Sequence, residues 1–183
     1  MTQPILTLTE SNTLQALGQF LTAVLPTGTP IVVGQDNRVA PPSAANYAVM
    51  SRPLARARLA TNLTTYTDTY PGSTQTRADT QATQLMVQVD VYGPLSADNA
   101  QTITTMFRSD WGVDQFASSG FDVTPLYCDD ARQSPFHDAS NQVEERQIIG
   151  CYLQVNPTVT VPQDFAGELV VGVINVDATY PAS

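Results

Sequence analysis

The chain's only histidine, His137, sits in the stretch SPFHDAS. With Asp138 and either Ser134 or Ser140 it supplies the residue types of a nucleophile, a base and an orienting carboxylate. The spacing argues against that use, because such triads gather from distant segments and close neighbours along a chain rarely converge on one substrate atom. A solvated loop histidine is the plainer reading. Asp129 and Asp130 in CDDARQ, with Asp122 and Asp138 nearby, offer oxygen ligands for a divalent cation. The spacing and turn glycine of an EF-hand loop are absent, and a turn that uses Asp for its backbone hydrogen bonds explains the same residues. Glu144 and Glu145 are adjacent and would point to opposite faces of a strand, so they make a poor acid and base pair. VVGQDNR has one glycine after its apolar run, far short of a phosphate cradle. No cofactor is expected.

One charged pattern is better organised. SRPLARARLA places Arg52, Arg56 and Arg58 at even positions, so an extended chain projects all three to one face, with Leu54 among them. Guanidinium groups side by side repel one another unless something anionic faces them. In an acidic chain that surface is a second copy or a partner of similar composition. The competing reading is a solvated edge strand whose arginines deter aggregation.

The elements that position these groups follow from periodicity. SNTLQALGQFLTAVL predicts a first helix, with Ser11 as N-cap and Leu14, Leu17, Leu21, Val24 and Leu25 on one face. PIVVG reads as a short strand, and QDNRVAPPSAANY as a loop that two prolines hold extended. From Tyr47 to Tyr70 the residues suit extended chain, broken at Pro53. PGSTQTRADTQ is polar and turn-rich and reads as the tip of a long hairpin returning through Gln84–Tyr92. In that arm Leu85, Val87, Val89 and Val91 face one way and Gln84, Met86, Gln88, Asp90 and Tyr92 the other. A second main helix follows Gly93 and Pro94, with Ser96 as cap and Ala100, Ile103, Met106 and Phe107 on its apolar face. DWGVDQFASSG suits a short further helix, FDVTPLYCDD a short strand, and residues 142–161 a long one bent at Asn156 and Pro157. ELVVGVINV reads as a closing apolar strand. The sum is an α+β fold: an antiparallel β-sheet with two main helices packed on one side and a long protruding β-hairpin.

Length and composition fit this reading. The 183 residues suffice for one domain with a substantial core, so residues 1–183 are read as a single unit. Apolar residues make up 42%, and the one markedly hydrophobic run is too short to span a bilayer. MTQPILTLTES has no basic residue ahead of its apolar stretch, unlike a signal peptide, so an intracellular origin is expected. The formal charge is -9 and every basic residue is Arg, which makes nucleic acid a poor default partner. Cys128 and Cys151 are expected to be free thiols, Cys151 within an alternating apolar strand with Ile149, Leu153 and Val155.

Weak motifs in a fixed order carry a resemblance. VVGQDNRVAPPSAANYAVM, then LMVQVDVYGPLSADNAQTI, then FRSDWG, with Glu145-Arg146 before a long strand, span roughly residues 31–155. They resemble the neck or tail terminator proteins of tailed bacteriophages. The resemblance implies a structural virion protein, assembled in the host cytoplasm as a ring, usually a homohexamer. That ring ends the tail tube at its head-proximal end and joins it to the head-tail connector or adaptor. Its partners would be further copies, the tail tube protein and the connector, with DNA free to pass through the lumen unread and no membrane involved. Subunit or partner contacts would draw on Asn37, Arg38, Arg52, Arg56, Arg58 and Arg77. Another ring-forming tail component, a tube or baseplate-proximal subunit, shares much of this pattern. A small metal-dependent hydrolase using His137, Asp129, Asp130 and Asp138 is the reading from a different class.

Overall fold

A computed structural model describes residues 3–34, 42–67, 75–134, 136–137, 143–163 and 172. The elements run β1 (Ile5–Leu6), α1 (Glu10–Val24), β2 (Ile31–Val33), β3 (Tyr47–Met50), β4 (Ala55–Arg58), β5 (Leu63–Thr67), β6 (Thr76–Thr80) and β7 (Thr83–Tyr92). They continue with α2 (Ser96–Phe107), α3 (Asp110–Ser118), β8 (Val123–Cys128), β9 (Arg132–Gln133), β10 (Phe136–His137), β11 (Val143–Glu144), β12 (Arg146–Val155) and β13 (Thr158–Pro162). The α+β class expected from the sequence is the one found, with three helices and two mostly antiparallel sheets beside the small β10–β11 pair among the described residues.

The main sheet is built on β7 and β12, which pair antiparallel from Thr83↔Val155 to Tyr92↔Arg146. β3 and β4 flank β7, β8 and β9 flank β12, and β2 adds a parallel strand outside β3. Alternation along β7 is strict: Leu85, Val87, Val89 and Val91 are buried, and the residues between them are partly exposed. The buried face meets the helices. Phe20 of α1 stacks on Phe116 of α3 with centroids 5.3 Å apart and meets Phe107 of α2 edge-on at 5.5 Å. Each such fully buried side chain contributes about 1.5–3 kcal/mol relative to exposure.

The other face of the main sheet carries tyrosines in pairs. Tyr47 stacks on Tyr92 at 4.6 Å, and Tyr127 on Tyr152 at 4.4 Å. Both pairs are cross-strand neighbours, the contact that stabilises a sheet face most directly.

The second sheet runs β1-β13-β6-β5. It continues the central pair past a bend, since β7 follows β6 through Gln81 and Ala82 while β13 follows β12 through Asn156 and Pro157. The Gln81 amide donates to the Pro157 carbonyl at 3.1 Å across the bend. Two expectations change here. Thr76–Thr80 is a strand and not part of a hairpin tip, and the arm returning from β5 is β6, whereas Gln84–Tyr92 belongs to the main sheet. Residues 71–74 of the expected tip and the ELVVGVINV segment, apart from Gly172, lie outside the described residues.

Two caps also differ. α1 begins one residue before Ser11, and Thr9 is its N-cap in a reciprocal capping box with Asn12. Ser11 has Leu14 three positions on, which cannot return the bond. Ser96 is the first residue of α2 with its hydroxyl buried and unpaired, and the Leu95 amide is satisfied instead by the Asn46 side chain at 2.9 Å. Gly93 adopts φ 98°, and a Cβ there would collide with the Ala45 carbonyl, so the tight entry to α2 requires glycine.

Candidate subunit interface

Among the described residues β4 pairs only with β7, and all four of its residues are exposed. Its register sets Arg56 opposite Leu85 and Arg58 opposite Thr83, so both arginines leave the sheet on the face that carries the helices. Arg56 thereby reaches Glu10 at the N-terminus of α1, Nη2 to Oε2 at 3.3 Å, and Arg52 reaches the other oxygen of the same carboxylate at 3.2 Å. An acid in the first turn also complements the helix dipole. Among the described residues no carboxylate pairs with Arg58. With the Gln81 amide oriented so that its oxygen faces the guanidinium, it accepts from Arg58 Nε at 3.1 Å and Nη2 at 3.2 Å. The expectation that the stripe needs an anionic surface is thus met in part inside the chain, by one carboxylate for Arg52 and Arg56.

Arg77 is satisfied locally. It pairs with Asp79, two residues along the same strand, at 3.0 Å, and the Thr64 hydroxyl donates to Asp79 at 2.5 Å. The Thr64 hydrogen bond, then Arg77, holds the Asp79 carboxyl below the usual carboxylate range. Asn37 and Arg38 lie outside the described residues.

The opposite edge of the main sheet carries more acids than bases, its described cations being Arg108, which bonds the Cys128 carbonyl, and Arg132 of β9. β8 pairs with β12 on one side, and α3 packs against it. Asp110 and Asp114 on α3, Asp122 before β8 and Asp130 after it are exposed. None of these four forms an ion pair among the described residues, although Asp122 accepts from the Asn156 amide at 3.1 Å. Pro125 at the centre of β8 removes one backbone donor, as suits an edge strand. Both edges also expose large apolar side chains: Leu54 at 53% and Leu59 at 45% beside β4, Val113 at 44%, Leu126 at 36% and Tyr127 at 42% along α3 and β8.

Among the described residues the groups considered for chemistry are not gathered into a site. His137 lies in the two-residue strand β10, and Asp138 and Ser140 are outside the described residues. The Ser134 amide donates to the Arg146 carbonyl. Asp129 accepts from the Tyr152 hydroxyl at 3.4 Å, and Glu144 from the Tyr47 hydroxyl at 3.3 Å. Among the described residues no group of three His, Cys, Asp or Glu side chains is placed to hold a metal ion. Cys128 and Cys151 face each other across β8 and β12, both buried and both free. Burial raises both thiols, Cys151 far above the ordinary thiol range.

Glu10 and the unpaired acids of α3 were not anticipated from the sequence. The signal available for the acids was their concentration, Asp110, Asp114, Asp122, Asp129 and Asp130, with no cation between the first and the last and Arg108 and Arg132 flanking them. Glu10 gave none, being a lone acid 42 residues from Arg52.

No helix among the described residues is long and apolar enough to cross a membrane. Comparison with curated proteins finds no match. The family model described as phage neck terminator protein matches residues 12–179, which takes in both edges of the main sheet. The chain therefore belongs to the phage neck terminator protein family.

Proposed function

We propose that copies of this chain close into a ring, six to a turn, at the head-proximal end of the tail tube, where they end the tube and receive the connector. The family's role is structural and not enzymatic: its members complete the tail and are part of the virion, and contact with tail tube and neck components follows from that role. The finer reading, a homohexamer with Arg52, Arg56 and Arg58 at the subunit boundary, is supported by one observation above the others. Among the described residues the main sheet ends on both sides in exposed edges without a further strand, and these carry charge and large apolar groups. Natural sheets blunt or cover such edges, and association with another subunit is one way of covering them.

The test is to add purified chain to isolated tail tubes and image the product. A single ring of six copies at one end of each tube is the expected result. Rings repeated along the tube, or a chain that stays monomeric with bare tube ends, would overturn the reading.

A further inference from the structure

The two open edges differ in sign. At the level where β4 pairs with β7, the strand order across the sheet is β4-β7-β12-β8, so Arg58, Thr83, Val155 and Val123 form one row and Arg56, Leu85, Leu153 and Pro125 the next. Three interstrand spacings separate the ends of each row, about 14 Å. One end presents Arg56 and Arg58 with Leu54 and Leu59 exposed beside them. The other presents Asp114 and Asp122 with Val113 and Leu126 exposed beside them. Among the described residues Arg58 has only a neutral amide for company, and Asp114 and Asp122 have no ion pair. A chain of net charge -9 would repel its own copies if they met at random. A cationic edge facing an anionic edge fixes the one approach that does not.

We propose that subunits associate side to side through these unlike edges, β4 of one copy against α3 and β8 of the next. Arg56 and Arg58 face the neighbour's Asp114 and Asp122, and the exposed leucines close on the neighbour's Val113 and Leu126. A contact between two different patches is heterologous, and repeated it gives a closed ring or an open helix and never a two-fold dimer. The Coulomb term sets direction and register, while burial of the apolar side chains supplies most of the affinity. The inference rests on the ring reading and adds which surfaces meet.

Charge reversal in two separate variants tests it. Arg56→Glu with Arg58→Glu makes both edges acidic, and Asp114→Arg with Asp122→Arg makes both basic. Each variant alone is expected to lose assembly by at least tenfold in concentration midpoint, measured by mass photometry and sedimentation on the full chain. An equimolar mixture is expected to assemble again, with the two variants alternating, and that recovery itself shows that both are folded. Assembly by either variant alone at the wild-type midpoint overturns the inference while leaving the ring intact. A mixture that stays apart, although both variants keep the wild-type circular dichroism, overturns it as well. A wild-type chain that assembles neither in solution nor on tubes would remove the ring reading together with this one.

Discussion

Arg146 of β12 reaches diagonally across the main sheet to Asp90 of β7, Nη2 to Oδ2 at 2.8 Å, and its guanidinium lies 5.6 Å from the ring centre of Tyr92. The diagonal follows from register, since Arg146 stands opposite Tyr92 and Ile148 opposite Asp90. Both charged side chains are largely shielded, so the pair escapes most of the screening that weakens surface ion pairs. Arg146→Ala leaves Asp90 with the Gln88 amide as its remaining side-chain donor among the described residues. The expected loss is about 2 kcal/mol, the cost of stranding a charged hydrogen-bond partner. For a chain of this size that is a fall in Tm of roughly 4–8 °C by calorimetry. Arg146→Lys should recover less than half, because an ammonium cannot keep both the bond to Asp90 and the planar contact over Tyr92.

Phe20 is the aromatic on which the three helices converge, within 5.3 Å of Phe116, 5.5 Å of Phe107 and 6.1 Å of Trp111 by ring centre. Phe20→Ala should cost about 3–5 kcal/mol, the range for emptying a buried aromatic site. Chemical denaturation would read this as a lower midpoint at an unchanged slope, and a slope that changed instead would point to a loosened native state.

The tyrosine face should show in an alkaline titration. Tyr47 and Tyr92 are raised above the ordinary phenol value, in both cases first by burial, then for Tyr47 by Glu144 and for Tyr92 by Asp90. Tyr152 is raised in the same direction, by loss of hydration and then by Asp129. A phenol raised in the folded state stabilises the fold fully below its unfolded value, about pH 10, and that contribution is lost as pH rises through the folded value. Ultraviolet difference titration should therefore find tyrosines that ionise only as the chain unfolds, and Tyr47→Phe should remove one of them.

Cys128 and Cys151 should resist a thiol reagent in the native chain and both react once it is unfolded, because the reactive thiolate is disfavoured by burial at both positions. Rapid labelling of either thiol under native conditions would contradict the packing of β8 on β12.

What the sequence made legible was whatever a single buried face imposes. Residues 84–92 alternate because helices cover one side of β7, and the helical spacing at Ala100, Ile103 and Phe107 reflects the same contact from the other side. β6 reads from its sequence as part of a turn because all five of its residues are partly exposed, so no apolar period marks it. The arginine stripe was legible as spacing, and its partner Glu10 was not, since a contact between elements so far apart leaves no local pattern. The acids near β8 are visible in the sequence as a concentration, which turn chemistry explains equally well. Their significance depends on an edge that only the strand order reveals.

The central pair has a consequence for how subunits are made. β7 and β12 are separated by more than fifty residues of intervening chain, and contacts so distant along the chain form late in folding. β4 hangs on β7 and β8 on β12, so a nascent polypeptide displays neither flank in working geometry until residue 155 has left the ribosome. On the side-to-side association proposed above, synthesis of β12 is what licenses a subunit to join its neighbours. A fragment ending before Arg146, co-expressed in excess, should leave full-length rings unpoisoned, and mixed particles containing it would show the contrary.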